Sequence, residues 1–280
     1  MIDSSVKIPA MPERAQPVPP ARMPPWRDGR PLKHWRYVGV YGPELMGCFG
    51  TVSIAGLPQA FWAIWDRDAR VLRERTRFRS GAVRLDGGLV RVRDRGVAID
   101  LAFDERAGTP VEVVSDHGDS YIWTRKRAGV GFAGSVVIDG RERALIARGV
   151  IDDSAGYHAR NTAWCWSAGV GVAEGGLDVA WNLATGIHDA PTGSERAVWV
   201  DGVPAETSPV TFDEPLTSVA AVDGTFALHC TVEAVRERDD NLGLLRSRYA
   251  QPFGTFAGTL PGGLRLEQGL GVMERHDVAW

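Results

Sequence analysis

From Arg36 to the end of the chain, apolar and polar residues alternate with a period of two. Val97, Ile99, Leu101 and Phe103 alternate with Ala98, Asp100 and Ala102. Phe226, Leu228, Cys230 and Val232 alternate with Ala227, His229, Thr231 and Glu233. This spacing sends one set of side chains to a core and the other outward, as in half-buried strands. Asp-Gly pairs at 86–87, 139–140, 201–202 and 223–224 punctuate the runs. They predict hairpin turns, because both residue types tolerate positive φ. No amphipathic run of three helical turns stands out. The best helical candidate, Glu233 to Leu245, is broken by Gly243 and reads as well as a strand and a turn. Roughly sixteen to twenty strands follow at the usual spacing. A small barrel takes about eight, so two barrels or one very large sheet system are needed. Residues 136–140 (VVIDG) and 198–202 (VWVDG) echo each other and favour two. The predicted halves are 34–149 and 150–280, divided near Gly149.

Residues 1–33 break the pattern with eight prolines, from Pro9 to Pro31. Such a segment forms neither ladder nor helix. It is predicted irregular to about residue 30, as a loose tail or as a strap over the barrel anchored by Trp26. The net charge is −3 without a basic block, so the footprint of a nucleic-acid binder is missing. Residues 1–10 lack an apolar signal core, and no run of about 18 apolar residues exists to span a membrane. The expectation is a cytoplasmic protein with no transmembrane segment. Three scattered cysteines, Cys48, Cys165 and Cys230, give neither a disulfide framework nor a metal spacing, and read as buried small hydrophobes. Thirty-three glycines suit many turns, and ten tryptophans suit a large β core or aromatic ligand walls.

The chemistry concentrates in residues 152–167. Asp152 and Asp153 can exchange a proton, and His158 titrates near neutral pH. Arg160 and Asn161 can hold an oxyanion or a carbonyl. Trp164 and Trp166, two apart, share a strand face. The plainer readings are turn-capping aspartates, favoured for Asp152, a structural histidine and core tryptophans. His188-Asp189 reads as a polar hairpin loop. On the last strand Glu274 and His276 share one face, Arg275 and Asp277 the other. A buried Glu274 would have a raised pKa and serve as a general acid. Arg125 and Lys126 read as a solvated strand end. No phosphate loop, nucleophile elbow or His-x-x-x-His pair is present, so neither metal nor cofactor is expected.

Gly156-Tyr157-His158, Asn161 and Trp164-Cys165-Trp166 resemble the signature of the carotenoid hydratase group, which includes AttH-like proteins and fungal cyclases. Over a longer span, from about His34 to Trp280, the chain resembles a bacterial family known as domain of unknown function 2804. That likeness is carried by residues 36–44 (RYVGVYGPE), 121–126 (YIWTRK), 251–256 (QPFGTF) and 271–276 (GVMERH). The hydratase-like pattern has Asp where this chain has Ala159, so a proton donor there does not carry over. The resemblance implies an all-β fold of tandem lipocalin-like (calycin) β-barrels or strongly curved antiparallel sheets, with the Pro-rich segment irregular. It also implies an apolar small-molecule ligand and acid/base chemistry without a redox cofactor, of hydratase, isomerase or cyclase type. His158, Asp153 and Glu274 are the expected catalytic residues. Tyr157, Arg160, Asn161, Trp164, Trp166, His188 and His276 are the expected ligand contacts. The alternative is a lipocalin-like lipid carrier, which needs the same pocket and no acid. Buried polar groups in the pocket favour the enzyme, and polar groups only at its mouth favour the carrier. Sugar binding by carboxylates and tryptophans is an outside reading.

Overall fold

A computed structural model describes residues 17–78, 81–241, 243 and 246–280. Two sheets hold almost every strand. The first contains β3 (Lys33–Tyr41), β4 (Leu45–Ile54), β5 (Leu57–Asp66), β6 (Val71–Arg77), β7 (Val83–Asp86), β8 (Leu89–Asp94), β9 (Val97–Phe103), β10 (Val111–His117), β11 (Ser120–Ile138) and β12 (Arg141–Gly156). The second contains β13 (Asn161–Ala173), β14 (Leu177–Thr185), β15 (Ala197–Val200), β16 (Val203–Glu206), β17 (Val210–Phe212), β18 (Ser218–Ala221), β19 (Ala227–Asn241), β20 (Arg246–Thr259) and β21 (Arg265–Ala279). Two short pieces, β1 (Trp26–Arg27) and β2 (Arg30–Pro31), pair with each other ahead of them. Every pairing is antiparallel.

The two sheets share one topology. Their orders are β6-β5-β4-β3-β12-β11-β9-β8-β7 and β16-β15-β14-β13-β21-β20-β19-β18-β17. Each begins in the middle, runs to one edge, restarts at the far edge and returns to close beside its own first strand. Strand β10 is an addition that pairs with the first half of β11. The bulge at Gly129, whose φ of 75° needs glycine, marks where β11 passes from β10 toward β9. The echo between 136–140 and 198–202 does not mark this duplication. Val136–Ile138 ends β11, beside the last strand of its sheet, whereas Val198–Val200 ends β15, near an edge. The echo reflects only that both runs enter a hairpin with Asp and Gly at positive φ. The chain changes sheets at 157–160. The expected division at Gly149 falls inside β12, which stays continuous to Gly156.

Each sheet curls around its own apolar core. Val38, Val40, Phe49, Trp62, Ile99 and Phe132 belong to the first, and Trp181, Leu183, Val219, Leu228, Phe256 and Met273 to the second. A third cluster lies between the sheets, with Tyr37, Tyr41, Cys48, Trp65, Trp166, Trp199, Phe253 and Val272. Central strands are therefore buried on both faces: Val38 and Val40 of β3 point into their own core, Tyr37 and Tyr41 between the sheets. Glu233 begins no helix, since β19 runs through it to Asn241, and residues 242, 244 and 245 lie outside the described set.

The first sixteen residues, with Pro9 and Pro12, also lie outside the described residues. From Pro17 onward the segment is a strap. The Tyr121 hydroxyl donates to the Pro17 carbonyl, and the Tyr157 hydroxyl to that of Pro24, at 2.5 and 2.6 Å. Its buried anchor is Met23, packed with Tyr121, Trp123, Ala155 and Tyr157. Trp26, expected in that role, is 59% exposed because it sits on the small β1–β2 hairpin. Met23→Ala removes contacts worth roughly 2–5 kcal/mol in a packed site. Limited proteolysis should then cut ahead of Lys33 faster than in the wild type, with the melting of the sheets unchanged. Equal protection would remove Met23 from this role.

Candidate functional site

The central strands β3, β12, β13 and β21 run between two openings. Toward one end lies a groove of about 900 Å³ lined by Ile146, Arg148, Val170, Gly171 and Gln268, with few ionisable groups. At the other end the sheets enclose a tighter chamber of about 170 Å³. Its aromatic walls come from both sheets: Trp35, Tyr37 and Phe61 from the first, Trp164, Trp166 and Tyr249 from the second. The indoles of Trp35 and Trp164 lie nearly parallel, 9° apart, with centroids 6.4 Å apart. The Trp166 indole N–H is spent on Asn182 Oδ1 at 2.8 Å, which fixes the ring.

Two acidic centres face this chamber, Glu274 from the second sheet and a trio that bridges the two sheets. Glu274, on β21, is buried and accepts three hydrogen bonds. Trp164 Nε1 donates to Oε1 at 2.8 Å, and the Tyr249 hydroxyl and Gln251 Nε2 donate to Oε2 at 3.0 and 2.9 Å. Burial raises its pKa, against the pull of the Trp164 and Tyr249 bonds, and the Asp152 charge raises it further. The second centre joins Asp152 of β12, Lys126 of β11 and Glu195 of the loop before β15. Lys126 Nζ lies 2.6 Å from Asp152 and 3.3 Å from Glu195. All three are buried. Burial pushes Asp152 up to about 6 and also raises Glu195, against the opposing pull of Lys126. Burial disfavours the Lys126 ammonium, but the two carboxylates overcome it and raise its pKa. Two carboxyls share one ammonium, so the trio takes up one further proton readily. Asp152 also appears among the groups that raise Glu274, so the two centres sense each other.

The histidines of the chamber are neutral. His276 shares a hydrogen bond with Ser247 Oγ at 2.8 Å and meets Trp164 edge-on at 4.5 Å. His188 shares one with Ser115 Oγ at 2.8 Å. Burial lowers both to about 3, helped by Arg236 for His276 and by Lys126 for His188. An unfolded histidine titrates near 6.5, so their contribution to stability is full above that pH and is lost as pH falls toward 3. Asp152, raised from 3.8 to about 6, acts in the opposite sense, its contribution fading as pH rises through 6. Comparison with a variant isolates one group. His188→Asn should remove about one proton, or about 1.4 kcal/mol per pH unit, from the acid slope of unfolding free energy between pH 6 and 4. Denaturant titrations at stepped pH read that slope, and an unchanged slope would contradict a neutral His188.

Of the residues named from the sequence, Glu274, Trp164, Trp166, His188 and His276 line the chamber. The other expected residues do not. Asp153 neighbours Asp152 on β12 and therefore points to the opposite face, where it pairs with Arg125 at 3.0 Å and Arg36 at 3.4 Å. His158 is buried behind the chamber wall, its ring 4.9 Å from that of Trp35 and 6.0 Å from that of Trp280. Burial, with Lys33 close by, holds it well below the ordinary histidine range. Tyr157 spends its hydroxyl on the strap. Arg160 and Asn161 are exposed where the chain changes sheets. Asp189 does not hold His188; it accepts the Gly186 amide at 2.7 Å and closes the turn. Lys126 is no solvated strand end, because β10 and β12 flank β11 there and the second sheet covers that face. Asp152, Lys126, Glu195, Arg236 and Tyr249 were not expected in the site. For the strand residues among them the one sequence signal is parity, as where Asp152 shares its face with Val150; Glu195, in a loop, has none.

The model of a family described as Domain of unknown function (DUF2804) matches residues 73–280. In three dimensions the chain is similar to an AttH-like protein of Nitrosomonas europaea. The identity is 12%, 94% of this chain and 98% of that chain are covered, and the TM-score is 0.56. It is also similar to kievitone hydratase from Nectria haematococca, at 10% identity, with 87% of this chain and 88% of that chain covered and a TM-score of 0.58. These likenesses establish the tandem lipocalin-like fold. No curated protein matches the sequence. No helix among the described residues is long and apolar enough to cross a membrane.

Proposed function

The chain belongs to the DUF2804 family, and on that footing we propose that the chamber binds an apolar or amphipathic small molecule and performs acid/base chemistry on it without a redox cofactor. The reaction is a hydration, isomerisation or cyclisation begun by proton transfer. Glu274 is the proton donor. Asp152, with Lys126 and Glu195, takes up a proton from the opposite wall or activates water. Trp35, Trp164 and Trp166 enclose the apolar body, and π faces stabilise positive charge that develops on protonation. That one fold neighbour is a hydratase agrees with this reading.

The observation that carries it is the pair of buried acidic centres facing one aromatic chamber from two sheets. A carrier gains nothing from burying Glu274 and two carboxyls around Lys126, since burying ionisable groups costs free energy. Perturbed carboxyls converging in an apolar pocket are what proton transfer near neutral pH requires.

The test uses an inactive variant as a trap. Glu274→Gln, purified from its own host, should retain an apolar molecule. Transferred to wild-type protein, that molecule should return as an isomer or as a product differing by one water. Its return unchanged would move the chain to the carrier reading.

A further inference from the structure

Among the described residues four cations line the chamber: Arg36, Lys126, Arg236 and Arg238. Each is already answered by a carboxylate. Arg36 pairs with Glu105 at 2.7 Å and Asp153 at 3.4 Å. Lys126 lies between Asp152 and Glu195. Arg236 pairs with Glu74 at 2.9 Å and is held over the rings of Phe61 and Tyr249, 4.5 and 4.8 Å from their centroids. Arg238 pairs with Asp240 at 2.7 Å. His188 and His276 are neutral. Glu274 stands apart: its donors are an indole, a phenol and an amide, and it forms no ion pair among the described residues.

An anionic group entering the chamber finds no free cation among the described residues, so no opposite charge offsets its desolvation. An uncharged polar group can still meet His188 Nε2 and the Trp280 indole N–H, two buried atoms of the lining that have no partner. A positive charge that develops on the ligand meets Glu274 and the faces of Trp164 and Tyr249.

We propose that the chamber discriminates by charge, admitting amphiphiles whose buried end is an uncharged alkene, ketone or alcohol and rejecting those that end in a carboxylate, sulfate or phosphate. This rests on the chamber being the ligand site and does not depend on turnover. A pocket for fatty-acid carboxylates needs the reverse arrangement, an arginine or lysine left unpaired at the depth of the head group.

The test compares a conjugated tetraene fatty acid with its methyl ester, by their fluorescence on leaving water, at a pH where the acid is ionised. The ester should bind about tenfold or more tightly than the acid, since only the acid buries an unpaired charge. Glu74→Gln keeps a hydrogen-bonding partner for Arg236 but frees its charge, and should narrow or invert that ratio. The Glu74 side chain is 34% exposed, so the change is tolerable. Should that variant not fold, Asp240→Asn frees Arg238 at the mouth and serves the same purpose. Equal affinity of acid and ester in the wild type overturns the proposal, as does a ratio that stays fixed when a cation is freed. If neither probe binds, the chamber is not the ligand site, and the reading beneath this one falls with it.

Discussion

Glu274→Gln is expected to abolish turnover while leaving the fold and the ligand affinity nearly intact. A positioned acid or base contributes about 10²–10⁴-fold in rate, and glutamine keeps the shape of glutamate without a transferable proton. The surroundings tolerate the change. Trp164 Nε1 can still donate to the remaining carbonyl oxygen. The new amide N–H₂ faces Tyr249 and Gln251, and a flip of the Gln251 amide presents its oxygen, which has no partner in the present orientation. Steady-state assays and thermal melts of the variant separate the outcomes. A large loss of rate with an unchanged melt supports Glu274 as the acid. Full activity removes it from the mechanism.

The second large effect falls on stability. Lys126→Met fills a similar volume but leaves Asp152 and Glu195 buried without their shared cation. Removing one partner of a buried ion pair typically costs 3–5 kcal/mol, more than the pair is worth against an apolar replacement. The two carboxyls then retain protons to higher pH. Their raised folded pKa values make the stability they contribute present in acid and lost as pH rises, so the deficit should widen from pH 5 to pH 8. Chemical denaturation across that range measures it. Replacing all three, as Lys126→Met with Asp152→Leu and Glu195→Leu, should restore much of the loss. A variant as stable as wild type at every pH would mean that the trio is not buried together in solution.

The fold was legible because strands announce themselves by parity. The alternation in 97–103 and 226–232 corresponds to β9 and to the run into β19. The Asp-Gly pairs at 139–140 and 201–202 both have positive φ in hairpins. The site was legible where a residue's face followed from its own strand, as for Glu274 with His276 and Trp164 with Trp166. It was not legible where the answer depended on which face each sheet turns to the other. Asp152 and Asp153 are adjacent and chemically alike, and only the packing of the second sheet makes one a chamber wall and the other an ion-pair partner of Arg36 and Arg125. His158 belongs to a dense polar motif, yet the chain turns there between sheets and its ring is sealed behind Trp35 and Trp280. Glu195 lies in a loop without periodicity, so no pattern in the sequence placed it beside Lys126.

The central claim is proton transfer to a carbon of the ligand from a chamber carboxyl, and solvent deuterium tests it most directly. The ligand trapped by Glu274→Gln is incubated in heavy water with wild-type protein and, separately, with the variant, then measured by mass spectrometry after back-exchange of its hydroxyl groups. Wild-type protein should install deuterium on carbon in the product, and the variant should install none. A ligand recovered from wild-type protein without carbon-bound deuterium, or labelled equally by both proteins, would contradict the account.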